Sequence, residues 1–375
     1  MNTEVTYGQT TLAAGICSRF VDNANGLRMH VLEAGEPSDP CVLFLHGFPE
    51  LAYSWRHQLL PIAEAGYHVI APDQRGYGRT TGWDPEYDGD LASYRMLNLV
   101  ADVTGLLAAL SISSVELLVG HDFGSPIASW CALTRQDLFE RVVLMSSPFG
   151  GVSQPAANPS RPAIHDDLAA LTPPRKHYQW YYSTREANDN MWHCPQGVHD
   201  FLRAYYHHKS ADWPENRPCP LEAWRADVIA RMPRYYVMDA DKGMAETVCQ
   251  EMPSDDQISS CRWLRNEQLA VYAKEYQRNG FQGGLQWYRC TTGGVGADET
   301  AGYAGRTIDI PTRYLAGRND WGTYQKPGSF EAMQTSTCTQ FLGAELIEGA
   351  GHWVQQEQPE LVTESLLRFL DWSID

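Results

Sequence analysis

Positive charge is scarce in this 375-residue sequence, where 29 lysines and arginines stand against 46 aspartates and glutamates for a formal net charge of −17. That balance disfavours polyanionic partners, because nucleic acid and anionic membranes repel such a chain unless a local basic patch overrules the total. No such patch is present. Also missing is any ordered cysteine pattern. The nine cysteines (Cys17, Cys41, Cys131, Cys194, Cys219, Cys249, Cys261, Cys290 and Cys338) are scattered, odd in number and never spaced C-x-x-C. A disulfide framework or a zinc knuckle is therefore not expected, and a reducing compartment is. Long hydrophobic runs are absent too: "MNTEVTYGQTTLAAG" has neither a basic nor an apolar leader segment, and nothing approaches the roughly 20 apolar residues of a membrane span. The expectation is a soluble cytoplasmic protein with no nucleic-acid partner and no membrane span.

What is present is enough apolar sequence, 43% of residues, to build a sizeable core. Between residues 20 and 147 short apolar runs alternate with helical patterns: "CVLFLHG", "YSWRHQLLPIAEAG", "HVIAPD", a helix carrying Leu99, Val103, Leu106 and Leu110, then "VELLVG" and "RVVLMSSP". Strand and helix in alternation imply parallel strands joined by crossover helices. The pattern breaks between "SSPFGGVSQPAANPSRP" and "TTGGVGADETAGYAG", which enclose a segment rich in Trp and Tyr with no clear strands. Strand signals return in "TRYLAG" and "AELIEG", and Val362, Leu366 and Phe369 mark a closing helix. The fold expected is an α/β core with a mostly parallel sheet flanked by helices, formed by residues 1–149 and 306–375, with residues 1–18 as a loose arm. An inserted helical cap would span residues 150–305.

The stretch "VELLVGHDFG" carries the chemistry. A strand running into Gly-x-Asp-x-Gly and then into the helix "SPIASWCAL" has the pattern of a nucleophile elbow, where small residues permit a strained turn that projects the central side chain. Serine in that place needs a base before it attacks a carbonyl. Aspartate, with a reference pKa of ~3.9, is already ionised and can displace a leaving group at saturated carbon. The product is an ester between enzyme and substrate, and its hydrolysis calls for a base, an orienting acid and an oxyanion hole. "AGRNDWG" supplies Asp320 after one strand, and "EGAGHWVQQEQP" supplies His352 after the last. The order Asp122, Asp320, His352 is nucleophile, acid, base. In "LFLHGFPE" the amide of Phe48 stands ready to pair with that of Phe123 as oxyanion donors. Taken singly these residues fit an N-cap, a turn and a core histidine; their order and their places at strand ends favour catalysis.

The motifs "HGFPE", "YSWRHQ", "GYHVIAPDQRGYG", "GHDFG", "GFQGGLQWYR", "RNDWG" and "GHW" together resemble the soluble epoxide hydrolases of the α/β-hydrolase superfamily, over roughly residues 20 to 372. The resemblance implies an α/β-hydrolase core with a helical cap, and hydrolysis of a small-molecule apolar epoxide, of unspecified size, to a vicinal diol without cofactor. It implies two cap tyrosines that donate to the epoxide oxygen: "LQWYR" matches one motif and gives Tyr288, and "HYQWYYS" matches the other and gives Tyr178, with Tyr181 as its substitute one turn along. A phenol of pKa about 10 is acidic enough to serve an alkoxide yet stays protonated at neutral pH. Aromatic packing is the competing explanation in so aromatic a segment. His121, His207, His208 and "WHCP" lack a third ligand at useful spacing for a metal. Phe123 departs from the tryptophan common in the family, and the cap from "SADWPENRPCPLEAW" to "DADKGMAETVCQEM" is longer than usual. Alternatives are a dehalogenase, a biosynthetic tailoring hydrolase acting on a large epoxide or activated ketone, and a non-catalytic ligand-binding module. A homodimer is compatible with all of these.

Overall fold

The computed structural model describes residues 11–152 and 164–372. Ten strands are present among them: β1 (Cys17–Asp22), β2 (Arg28–Ala34), β3 (Cys41–Leu45), β4 (His68–Pro72), β5 (Val115–His121), β6 (Val142–Met145), β7 (Arg175–His177), β8 (Val237–Asp239), β9 (Thr312–Gly317) and β10 (Phe341–Ile347). Eight form one sheet in the order β1-β2-β4-β3-β5-β6-β9-β10. From β4 to β10 all neighbours pair in parallel, whereas β2 is antiparallel to both β1 and β4. Every residue of β3, β4 and β6 is buried. Strands covered by helices on both faces read as unbroken apolar runs, which is why these segments stand out in the sequence.

The first crossover differs from a single helix over "YSWRHQLLPIAEAG": a 3-10 turn at Ala52–Trp55 is followed by α1 (Leu59–Glu64). Pro61 is the cause. It has no N–H to give to the carbonyl of residue 57, and its ring is tolerated only in the first turn of a helix. The second helix, α2 (Met96–Ala109), buries Leu99, Val103 and Leu106 on one face, and the third, α3 (Gly124–Thr134), leaves β5 at the elbow.

Two expectations need correction. The N-terminal arm cannot run to residue 18, because β1 begins at Cys17 and pairs with β2 along its whole length; residues 1–10 of that arm lie outside the described residues. An edge strand with one wet face alternates too weakly to announce itself. The segment between β6 and β9 is mostly helical but does contain strands, since β7 and β8 pair antiparallel over three residues. Strands this short leave almost no periodic signal.

Ring donors tie this helical segment to the core. Tyr206 and Tyr276 donate through their hydroxyls to the carbonyls of Pro49 and Glu50 (2.9 and 3.1 Å), and Trp287 donates through Nε1 to that of Arg75 (3.0 Å). All nine cysteines are unpaired. Among the described residues no helix is long and apolar enough to cross a membrane.

Behind those loops lies Asp73, just after β4. Its carboxylate accepts the amides of Ala52 and Arg79 (2.9 and 3.0 Å) and faces His30 Nδ1 at 2.8 Å. Burial works to raise this carboxyl, but His30, then His46 and the Arg79 amide, outweigh it and bring it from 3.8 down to about 2. A depressed carboxyl stabilises the fold above its unfolded value and loses that contribution as pH falls through the folded one. We expect Asp73→Asn to cost about 2 kcal/mol in urea unfolding at pH 7. The gap from wild type should narrow between about pH 4 and pH 2.

Candidate active site

Asp122 sits between β5 and α3 with φ of 51°, in the left-handed region that side chains rarely occupy. The surrounding backbone leaves it no other course. A Cβ on Gly120 would meet the carbonyl oxygen of Gly124 at 2.2 Å, and one on Gly124 would meet that of Leu45 at 2.3 Å. Strand and helix can therefore approach this closely only with glycine at both places.

The two other members of the sequence-derived triad meet Asp122 here. Asp320 follows β9 and His352 follows β10, so all three occupy loops at the carboxyl ends of parallel strands. His352 Nδ1 lies 3.0 Å from Asp320 Oδ1 and 2.9 Å from Ser146 Oγ, at the end of β6. Its Nε2 lies 3.2 Å from Asp122 Oδ2, without the alignment of a hydrogen bond. The Phe48 amide donates to Asp122 Oδ1 at 2.9 Å, while the Phe123 amide makes no hydrogen bond to a described residue. Burial pushes the Asp122 carboxyl up, but His352, then Lys209 and His121, overcome it and hold it well below the usual carboxylate range. Asp320 shows the same contest, with His352, Ser146 and the Gly322 amide prevailing over burial.

Facing Asp122 across a cavity of ≈ 340 Å³ are Tyr178 and Tyr288. Their rings are 5.9 Å apart, and both phenols are raised well above their ordinary value by burial and by the Asp122 charge. Each thus remains a donor. Tyr178 Oη donates to Gln325 Oε1 and accepts from Gln179 Nε2, both at 3.2 Å. Tyr181 does not line this cavity; its ring lies under Lys176 Nζ at 4.5 Å. Met96, Phe123, Trp130 and Phe149 give the cavity an apolar wall, and Gln325 and Lys326 a polar one. A separate cleft of ≈ 370 Å³, lined by Arg203, Asp212 and Arg262 among others, reaches none of these groups. Among the described residues no three His, Cys, Asp or Glu side chains gather as a metal-binding group.

Comparison with known proteins agrees with this geometry. Residues 40–359 match the family described as alpha/beta hydrolase fold. Epoxide hydrolase A of Mycobacterium tuberculosis is 33% identical over 94% of this chain and 96% of its own length. An epoxide hydrolase of Caballeronia sordidicola is 31% identical over 92% of this chain and 91% of its own. Among solved structures, an epoxide hydrolase from an endophytic Streptomyces superposes with a TM-score of 0.78 at 31% identity, covering 96% of both chains. The chain belongs to the epoxide hydrolases of the α/β-hydrolase family.

In this family member several groups beside the sequence-derived ones shape the site. His121 Nδ1 donates to Glu50 Oε2 at 2.6 Å, and Nε2 donates to the His352 carbonyl at 2.7 Å. Both of these partners are acceptors and favour the imidazolium form of His121, while Gln355 Nε2 also lies 3.2 Å from Nδ1. Burial opposes that charge, and Glu50 with Asp122 and Asp320 prevails. Glu357 accepts the amides of Gly351, Trp353 and Ala211 (2.9, 2.9 and 2.8 Å), which clamps the His352 loop against the end of the helix Gly197–Lys209. Glu50 and His121 stand inside the motifs "HGFPE" and "GHDFG", where their presence was visible but their pairing was not. Ser146, Glu357 and Lys209 carry no local signal.

Gly47 offers a direct check on the elbow. A Cβ there would lie 2.4 Å from both Cβ and Oδ1 of Asp122. We expect Gly47→Ala to remove more than about 99% of the activity by displacing Asp122, because misplacing a reacting atom by an ångström costs of order 100-fold. Thermal unfolding of the same variant should still be cooperative.

Proposed function

We propose that this enzyme hydrolyses an epoxide to a vicinal diol through a covalent ester on Asp122. The observation that carries this reading is one cavity holding a carboxylate at the elbow and two phenols opposite it, with the histidine Nε2 3.2 Å from the carboxylate. Oδ1 is held by the Phe48 amide, which leaves Oδ2 to attack an epoxide carbon. The ring C–O bond breaks as the new C–O bond forms, and its electron pair goes to the oxygen facing Tyr178 and Tyr288. Either phenol can pass a proton to that alkoxide.

The second half-reaction removes the ester. His352 Nε2, oriented through Nδ1 by Asp320, takes a proton from water, whose oxygen bonds to Cγ of Asp122. Negative charge collects on Oδ1, where the amides of Phe48 and Phe123 receive it. The Cγ–Oδ2 bond then breaks, His352 returns its proton to the leaving diol, and the proton left on the rebuilt Asp122 carboxyl goes back to the phenolate. Phenols in place of halide-binding donors favour an epoxide over a haloalkane. The same reading takes residues 150–305 as the cap over a core of 1–149 and 306–375. It also assigns the protein to the cytoplasm, where nine unpaired thiols stay reduced.

Separating the half-reactions tests the assignment. His352→Gln leaves the nucleophile and both phenols in place, so the protein should gain the mass of one substrate molecule and hold it. Tyr178→Phe with Tyr288→Phe should instead slow alkylation at least ~100-fold and accumulate no adduct. Normal turnover by His352→Gln, or an adduct on the double variant, contradicts these roles.

In heavy-oxygen water a single turnover should label Asp122, while the diol carries an original carboxylate oxygen. Label appearing in the diol alone points to water attacking the epoxide itself.

A further inference from the structure

Lys209, at the end of the helix Gly197–Lys209, is 3% exposed and takes part in neither half-reaction as a reacting group. Burying an ammonium is costly unless it is paired, and Lys209 Nζ has no carboxylate within 4.0 Å and no hydrogen bond to a described residue. Its surroundings are aromatic. Nζ stands 5.2 Å from the ring centre of Tyr236, 5.4 Å from Trp353, 5.5 Å from Tyr205 and 5.7 Å from Tyr235. A box of ring faces accepts a cation while keeping water out.

The box adjoins the catalytic groups. The Lys209 carbonyl accepts the His352 amide at 2.9 Å, and the Trp353 ring is 4.6 Å from that of His352. Burial lowers the Lys209 ammonium below its ordinary value, and the charges of Asp122, Asp320 and Glu50 work against that. Those facing Asp122 are His352, Lys209 and His121, with the tyrosines beyond them. The Lys209 charge is one of those that lower the Asp122 carboxyl.

Resting on the assignment of Asp122 as nucleophile, we propose that Lys209 is a positioning residue for the second half-reaction, a fixed cation that favours the return of negative charge to Asp122. The two half-reactions differ in sign at this carboxylate. Alkylation consumes its charge, so a nearby cation works against that step. Ester hydrolysis rebuilds it, first as the oxyanion on Oδ1 and then as the free carboxylate, so the cation works for it. In a largely buried site such a charge acts more strongly at a distance than it would in water. Lys209 thereby keeps the covalent intermediate from accumulating.

Lys209→Met removes the charge at similar length. With styrene oxide as probe, rapid-quench intact mass and diol release give the two rates separately. We expect alkylation within about threefold of wild type or faster, ester hydrolysis slowed about tenfold or more, and the adduct as the main species at steady state. Lys209→Arg should restore wild-type partitioning. Equal slowing of both steps, no accumulation of adduct, or an arginine variant that behaves like methionine overturns the proposal. So does failure of both Lys209→Met and Lys209→Gln to fold while Lys209→Arg folds, since the charge is then structural. If even His352→Gln forms no adduct, the nucleophile assignment has failed instead.

Discussion

The site depends first on a backbone constraint at Asp122. Its left-handed conformation is held because β5, α3 and the loop after β3 approach so closely that Gly47, Gly120 and Gly124 have no room for side chains. Strain of this kind persists only when the surroundings over-determine it. The central parallel strands supply that determination, being buried at all but Glu116 and hydrogen-bonded on both sides. Because β3, β5, β6, β9 and β10 end on the same side, the loops that follow them bring Phe48, Asp122, Ser146, Asp320 and His352 together.

Electrostatics set the second constraint. Three carboxylates, Asp122, Asp320 and Glu50, are buried within one region, and such charges survive only with compensating partners. His121 bridges Glu50 and the His352 loop, His352 stands between Asp122 and Asp320, and the Lys209 side chain lies against the aromatic rings beside that loop. The phenols on the opposite wall are raised by burial and then by the same carboxylate, and both stay protonated.

The helical segment between β6 and β9 serves both arrangements. Tyr206, Tyr276 and Trp287 anchor it to loop carbonyls of the core, so that Tyr178 and Tyr288 face Asp122 across the cavity. Those anchors are polar tips on large apolar rings, which gain from burial while satisfying carbonyls that would otherwise be orphaned. Glu357 extends the link from the other side by joining the His352 loop to Ala211.

The parts legible in the sequence were those governed by local periodicity and turn chemistry. Continuous apolar runs announced β3, β4, β5 and β6, and the glycines flanking Asp122 announced the elbow, because both reflect constraints acting within a few residues. Asp320 and His352 were visible because each follows a strand signal directly. By contrast β1 is a half-exposed edge, β7 and β8 are three residues long, and Pro61 divided what looked like one helix. The ionisation of His121 required two acceptors, Glu50 and the His352 carbonyl, separated by 71 and 231 residues along the chain. The Glu357 clamp and the Lys209 box likewise join residues distant in sequence. Sequence by itself determined the alternation of the central strands and helices and the carboxylate at the elbow, since these follow from side-chain pattern and turn chemistry within a few residues. Only tertiary structure decided which charges face one another and at what burial, because Coulomb interactions depend on distance through space and on excluded water.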